Sequence, residues 1–133
     1  MLSHVIASRR SPLKLLLAHR DAGFRRELVE NLDGREVQVI QCATAEATHA
    51  LAAEFRPSIV IVDANLPDQS GALTCAKLRI SHPRCRVILV GRQRNGEDAR
   101  LARFIGADVY VAQREGLEEM LRYVARRSLP ARC

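Results

Sequence analysis

Aromatic residues are scarce in this sequence, which contains no tryptophan and only 4% aromatic residues in total. Binding of single-stranded nucleic acid by base stacking requires exposed aromatic side chains, so this mode is not expected. No apolar run approaches the length of a membrane span. The apolar run within residues 1–12 is also too short for a secretory signal. These absences predict a cytoplasmic protein.

Paired cysteines are also absent. The four cysteines, Cys42, Cys75, Cys85 and Cys133, are far apart and form no C-x-x-C motif. The pattern therefore indicates neither a zinc site nor a disulfide framework, and it fits free thiols in a reducing compartment. No Ser/His/Asp arrangement or cluster of metal ligands stands out either, so an enzyme is not expected.

Positive charge is in excess but is not concentrated. The net charge of +6 comes mainly from arginines spread along the chain. Binding to a nucleic acid backbone requires a clustered basic patch, so direct nucleic-acid binding is not expected. A small basic nucleic-acid binder remains a third hypothesis, which a steep salt dependence of binding would identify.

Short apolar runs alternate with helical stripes along the 133 residues. This alternation predicts one α/β domain with a five-stranded parallel sheet covered by helices on both faces. The first, third and fourth strands are apolar nearly throughout and should be central. We expect a flexible N-terminal arm over residues 1–12, a domain over residues 13–127, and a tail or linker start over residues 128–133. The predicted strands cover residues 13–18, 37–42, 58–63, 86–90 and 108–112.

The apolar spacing also predicts which helical side chains turn toward the sheet. The fourth helix is expected over Glu97–Ile105, between Gly91 and Gly106. The inward-facing residues expected in the other helices are Phe24, Leu28 and Leu32 in the first, Ala47, Ala50, Leu51 and Phe55 in the second, Leu73, Ala76, Leu78 and Ile80 in the third, and Leu117, Met120, Leu121 and Val124 in the last.

The third strand ends in a carboxylate. The stretch "IVIVDANLPDQSG" places Asp63 directly after four apolar residues and is followed by Pro67 and Gly71. A strand that ends this way delivers its carboxylate to the rim of an open α/β sheet, where ligands bind. The alternative is that Asp63 only ends the strand or caps a turn.

The sequence resembles the receiver domain of bacterial two-component response regulators over residues 13–127. The resemblance rests on "LLLAHRDAGFRREL", "PSIVIVDANLPDQSG", "RVILVG" and "GADVYVAQRE", above all on the D-x-x-x-P-x-x-x-G spacing and the later G-A-D. It implies a flavodoxin-like (βα)5 doubly wound sandwich. Flavodoxins themselves use a hydroxyl-rich loop after the first strand, which "HRDAGF" lacks.

The resemblance assigns a degenerate phosphorylation pocket. Asp63 matches the phosphoacceptor, and the carbonyl of Asn65 matches a ligand of the family's Mg²⁺. The acidic pair that completes the metal shell falls on His19 and Arg20, with Asp21 next to it in the variable position.

Two further parts of the family pocket are replaced. Gly91 stands where a Thr or Ser hydroxyl binds the phosphoryl group, and Gln113, followed by Arg114, stands in place of Lys-Pro. The family's Mg²⁺ is therefore predicted to be lost, and the Gln113–Arg114 peptide bond is predicted to be trans.

These replacements favour a pseudo-receiver that signals through protein partners without phosphorylation. The alternative is a phosphorylated receiver, with Asp63 as phosphoacceptor, that controls a transcriptional output. The expected partners are a histidine kinase or an output domain, and no membrane. Arg20 is expected to replace the metal by forming an ion pair with Asp63.

Tyr110 matches an aromatic position that swings inward in the family when the loop hydroxyl moves, and we interpret it as a packing or interaction residue. A homodimer is expected to form through the fourth helix, fifth strand and fifth helix. The charged residues expected on that surface are Arg100, Arg103, Asp108, Glu118, Glu119 and Arg122.

Overall fold

The computed structural model describes residues 12–92, 100 and 102–126. The predicted C-terminal tail, the predicted arm apart from Pro12, and the start of the fourth helix at Glu97 lie outside these residues. Among the described residues no helix combines the length and the apolar character needed to cross a bilayer.

Strands and helices alternate in the predicted order. Residue 100 and residues 102–104 form the described part of the fourth helix, α4. The other elements are β1 (Leu13–Ala18), α1 (Ala22–Leu32), β2 (Val37–Cys42), α2 (Ala45–Phe55), β3 (Ile59–Asp63), α3 (Gly71–Ser81), β4 (Arg86–Gly91), β5 (Val109–Ala112) and α5 (Gln113–Arg126).

The strands form one five-stranded parallel sheet in the order β2-β1-β3-β4-β5. The prediction that the first, third and fourth strands are central is confirmed. Ala18 pairs with Val62, Asp63 with Val90, and Gly91 with Ala112. The carboxyl ends of the four strands β1, β3, β4 and β5 therefore meet at one edge of the sheet.

Alternate residues of each central strand face opposite layers of helices. Leu15, Leu17 and Ile61 pack in one core with α1 and α5, whereas Leu16 and Val62 pack in the other with α2 and α3. This alternation explains why the central strands are apolar on both faces. The predicted inward residues of α1 are buried, and those of α5 are buried or packed against the first core.

Polar residues begin three helices as capping groups. The side chains of Asp21, Thr44 and Ser70 accept hydrogen bonds from backbone N–H groups in the first turns of α1, α2 and α3. Each bond satisfies an N–H group that has no partner within its helix.

The inward face predicted for α3 is largely wrong. Leu73 is 47% exposed and Ile80 is 81% exposed, while the buried residues of α3 are Gly71, Thr74, Cys75 and Leu78. The small residues face the sheet because α3 begins against it: a Cβ on Gly71 would lie 2.6 Å from Ala64 Cα and 2.8 Å from the Asp63 carbonyl carbon. A larger side chain at this position would push α3 away from β3.

The inward face predicted for α2 is also partly wrong, since its buried residues are Ala45, Thr48 and Ala52. Of the residues expected to turn inward, Ala50 is exposed, whereas Leu51 packs against the second core. The apolar residues of this helix exceed the face that contacts the sheet, so hydrophobic type alone does not select that face.

Asp108, the last residue of the G-A-D motif, is part of a buried ion pair. Its side chain is 0% exposed, and its Oδ2 lies 2.8 Å from Arg79 Nη2 and accepts a hydrogen bond from the Val87 N–H at 2.8 Å. Arg79 also donates to the carbonyls of Gly106, Pro83 and Cys85. The expectation that Asp108 belongs to a charged surface is wrong, because its carboxylate joins α3, β4 and β5 inside the domain.

Removing Arg79 should therefore destabilise the domain strongly. We expect Arg79→Met to lower the free energy of unfolding by about 3 kcal/mol, because it removes the guanidinium that lies 2.8 Å from the buried Asp108 carboxylate. The double variant with Asp108→Asn should recover part of this loss, while Arg26→Met, at an exposed position of α1, should have little effect. Urea unfolding measures all four proteins, and a cost below about 1 kcal/mol for Arg79→Met would contradict a stabilising pair.

Candidate functional site

The candidate site lies at the carboxyl edge of the sheet, where β1, β3, β4 and β5 end. Asp63 is 4% exposed. Its Oδ1 accepts a hydrogen bond from the Asn65 N–H at 2.9 Å, and its Oδ2 accepts one from the Arg20 N–H at 3.0 Å. Backbone donors thus satisfy both oxygens of a carboxylate that has little access to water.

The imidazole of His19 is the group that faces this carboxylate, with its Nδ1 3.6 Å from Asp63 Oδ2. His19 is 2% exposed, and its ring stacks on Phe24 at a centroid distance of 4.2 Å. Burial lowers the pKa of His19, and this effect outweighs the opposing influence of the Asp63 carboxylate. The site therefore holds a neutral imidazole at neutral pH.

The hydrogen bonds of His19 define its tautomer. The Asp21 N–H donates to Nδ1 at 3.1 Å, so Nδ1 acts as the acceptor. The proton is then on Nε2, which lies 3.3 Å from Gln113 Oε1 and donates to it. His19 and Gln113, which the resemblance matches to a metal-binding acid and a lysine, are thus hydrogen-bonded to each other across the sheet edge.

The predicted ion pair between Arg20 and Asp63 is wrong. The Arg20 side chain is exposed, and its Nη1 donates to the carbonyl of Asn65 at 3.3 Å. Only the backbone N–H of Arg20 reaches the Asp63 carboxylate. The Arg20 guanidinium therefore forms a hydrogen bond with the Asn65 carbonyl, which the resemblance assigns as a Mg²⁺ ligand.

The remaining carboxylates near the site cap helices. Asp21 Oδ1 accepts a hydrogen bond from the Gly23 N–H at 2.9 Å. Asp68 accepts hydrogen bonds from the Ala45 and Glu46 N–H groups at 2.8 and 3.0 Å, and these bonds lower the pKa of Asp68. Asp68 thus ties the loop after β3 to the start of α2. Within the described part of the chain, no group of three or more His, Cys, Asp or Glu residues is arranged to hold a metal ion.

Gly91, at the end of β4, lies under the ring of Tyr110. A Cβ on Gly91 would lie 2.6 Å from Tyr110 Cζ and 2.8 Å from Cε1, and it would overlap the hydroxyl. The Tyr110 side chain therefore fills the space that a residue larger than glycine would need. This contact agrees with the interpretation of Tyr110 as a packing residue, and the ring also packs against the second core.

The charged residues predicted for the interaction surface separate into two groups. Arg100, Arg103, Glu118 and Arg122 are exposed. Glu119 is half-buried and accepts a hydrogen bond from the Tyr123 hydroxyl at 3.3 Å. Asp108 is internal, as described above. The described residues of the chain contain no cis peptide bond, so the prediction of a trans Gln113–Arg114 bond is confirmed.

Comparison with known proteins identifies the family. Residues 15–125 match the response regulator receiver domain. The chain is 37% identical over 98 residues to the transcriptional regulatory protein KdpE of Mycobacterium tuberculosis; the match covers 72% of this chain and 42% of KdpE. The chain belongs to the response regulator receiver family, and it spans less than half the length of this curated relative.

Solved receiver structures share the fold. The BeF3-activated DrrB receiver domain superposes with a TM-score of 0.77 at 27% identity, covering 86% of this chain and 95% of that receiver-domain chain. The receiver domain of the response regulator NarL from Mycobacterium tuberculosis superposes with a TM-score of 0.77 at 19% identity, covering 88% of this chain and 98% of that domain. The flavodoxin-like prediction is confirmed.

Two contributors to the site were missed from the sequence. Arg25 Nη1 donates to the His19 carbonyl at 2.6 Å and fixes the turn between β1 and α1. Asp68 caps a helix that is distant in sequence. Local sequence spacing gives no signal for either contact, because Arg25 is one of many arginines in the chain and Asp68 caps a helix that starts well before it in the sequence.

The Gly91–Tyr110 contact generates a stability prediction. Gly91→Ala should lower the free energy of unfolding by about 1–3 kcal/mol, because its methyl group overlaps the tyrosine ring. In a Tyr110→Ala background the same change should cost much less, since the ring is gone. Denaturant unfolding of the four proteins gives the coupling energy, and additive effects would contradict the contact.

Proposed function

We propose that this receiver domain acts as a protein-interaction module in signal transduction, without phosphorylation of Asp63 and without Mg²⁺. The observation that carries the proposal is the placement of His19: a buried neutral imidazole faces Asp63 from the position of a family metal ligand. The proposal includes no catalysed reaction.

The chemistry of phosphoryl transfer explains why this replacement matters. A carboxylate that attacks a phosphoryl group brings negative charges together, so a divalent cation is needed to neutralise the developing charge. Mg²⁺ prefers oxygen ligands in a near-octahedral arrangement. A neutral imidazole nitrogen and a carbonyl already bonded to Arg20 are poor substitutes for that shell. Gln113 supplies no positive charge to the pocket.

The packing of Tyr110 supports a single signalling state. In the receiver family, as the resemblance implies, the aromatic ring turns inward when a hydroxyl on β4 moves toward the phosphoryl group. Here Gly91 has no hydroxyl, and Tyr110 already covers it. The inward arrangement therefore does not depend on phosphate, and the surface beside Tyr110 is constitutively presented to partners.

The alternative function is a phosphorylated receiver that controls a transcriptional output. It is supported by Asp63, which occupies the expected strand end, and by the similarity to KdpE, a transcriptional regulatory protein. A histidine kinase would be the partner in that case. Because the match covers 42% of KdpE, an output domain attached to this receiver is likewise a proposal.

A second copy of this chain is the partner we propose for the surface formed by α4, β5 and α5. Phe104 is 89% exposed there, next to the exposed Arg103. A hollow of about 260 Å³ beside them is lined in part by Arg103, Tyr110 and Tyr123. Exposed charges of both signs, including Glu118, suit a self-complementary two-fold interface.

Phosphorylation can be tested directly at Asp63. Incubation with Mg²⁺ and acetyl phosphate should give no mass gain, and Mg²⁺ with beryllofluoride should not raise the melting temperature. The DrrB receiver domain, for which a BeF3-activated structure exists, serves as the positive control. A stoichiometric mass gain that disappears in Asp63→Asn would overturn the proposal and establish the alternative.

The proposed dimer is tested by sedimentation. Arg103→Glu should shift an oligomeric sample toward monomer, because it reverses an exposed charge on that surface. Arg26→Glu makes the same charge change on an exposed position of α1 and should leave the profile unchanged. An unchanged profile for Arg103→Glu would exclude this surface.

A further inference from the structure

A second concave region lies at the amino edge of the sheet, opposite the edge that carries Asp63. This cavity has a volume of about 830 Å³ and is bounded by the ends of α2 and α3 and by the starts of β3 and β4. The size falls within the range of small-molecule sites. We call it the amino-edge cavity.

Its walls carry a concentration of basic side chains. Arg56, Arg84, Arg86 and His82 line the cavity, and no Asp or Glu does. The Arg56 and Arg84 side chains are exposed and form no hydrogen bond or ion pair with any other described residue. Arg86 is partly engaged, with Nη1 3.8 Å from Asp108 Oδ1 and a side chain that is 42% exposed.

Arg56 also adopts a backbone conformation that an arginine does not favour. It ends α2 with a φ of 54°, and it is the one non-glycine residue with positive φ in the described part of the chain. Glycine is the usual residue at such a left-handed helix end, since it has no Cβ to clash. The arginine at this position therefore carries a conformational cost, and its side chain lines the cavity with no partner among the described residues.

We propose that the amino-edge cavity binds a small phosphate-bearing ligand with a flat apolar body, the chemistry of a nucleotide. Arginine forks match phosphate oxygens through paired hydrogen bonds. Exposed apolar surface for the body of the ligand comes from Ala53 and Pro83, and the exposed Ser58 and Ser81 add hydroxyl groups.

The proposed ligand binds in the cavity without forming a covalent bond to the Cys85 thiol. Cys85 contributes to the lining, but it is only 6% exposed, and burial raises the pKa of its thiol to about 12. The thiol stays protonated at neutral pH, so it is a poor nucleophile. Recognition by charge and shape is the chemistry that remains.

A purely structural role for these arginines makes a different prediction. Cations near the carboxyl end of a helix stabilise it through the helix dipole, and Arg56 and Arg84 lie near the ends of α2 and α3. If that were their function, Arg56→Gly would remove a stabilising charge and would not change the binding of any ligand. If Arg56 instead binds the ligand, Arg56→Gly should relieve the strain of the left-handed backbone and weaken ligand binding.

The test is calorimetric titration of the full chain with ADP and with pyrophosphate, in EDTA so that a metal-dependent event at Asp63 cannot contribute. We expect ADP to bind with a Kd below about 1 mM, and pyrophosphate to bind more weakly. Arg84→Gln and Arg56→Gly should each weaken ADP binding by about tenfold or more, because each removes a charge-assisted contact. Arg26→Gln removes the same charge elsewhere and should not change ADP binding.

Stability measurements on the same proteins complete the test. Arg56→Gly should keep or raise the melting temperature while it weakens ADP binding. The proposal is overturned if neither ADP nor pyrophosphate binds at millimolar concentration, or if Arg26→Gln weakens binding as much as Arg84→Gln. It is also overturned if the cavity arginines bind duplex DNA or an acidic peptide that ADP does not displace. None of these results depends on whether Asp63 accepts phosphate.

Discussion

The hydrogen bonds from the Arg20 and Asn65 N–H groups to Asp63 are the contacts around which the carboxyl edge of the sheet is organised. A carboxylate that is 4% exposed requires compensation for lost hydration, and here two backbone donors provide it. Because the Arg20 backbone turns toward Asp63, its side chain is directed to the Asn65 carbonyl and the His19 ring lies inside. The ring then needs its own partners, and the Asp21 N–H and the Gln113 amide supply them. The two ends of this network reach the start of α5 at Gln113 and the start of α1 at Asp21, so the site is fixed by contacts within the chain.

Close backbone approach sets the second constraint on the same edge. Gly71 places the start of α3 against the backbone of Asp63 and Ala64, and Gly91 allows Tyr110 to lie across the end of β4. At both positions, the absence of a side chain leaves space that a neighbouring group fills. At Gly71 the neighbour is backbone, so α3 can lie this close to β3 only with glycine at that position. At Gly91 the neighbour is the Tyr110 side chain, so the packing of this ring depends on the absence of a side chain at the end of β4.

Strand positions could be predicted from the sequence because both faces of a parallel sheet are buried, which leaves a direct apolar signal in segments such as "IVIVD". The orientation of His19 and Arg20 could also have been predicted. Side chains alternate along an extended strand, so a residue two after the buried Leu17 faces α1, as the stacking of His19 on Phe24 shows. The ion pair of Asp108 could not be predicted, because its partner Arg79 comes from a helix that is distant in sequence. The inward face of α3 could not be predicted for a related reason. Leu73 and Ile80 are apolar, but the close approach of the helix to β3 turns Gly71 and Thr74 toward the sheet instead.

The two edges of the sheet differ in how their polar groups are satisfied. At the carboxyl edge, the buried acid and imidazole are bonded to other parts of the chain. At the amino edge, Arg56 and Arg84 line a cavity with their guanidiniums unpaired among the described residues. Helix α3 runs between the edges, beginning with Gly71 against Asp63 and ending at His82 beside the cavity. The amino edge offers positive charge to an external anion, and α3 connects it to the edge that carries Asp63, so the two ends of one helix lie beside the two concave regions of the domain.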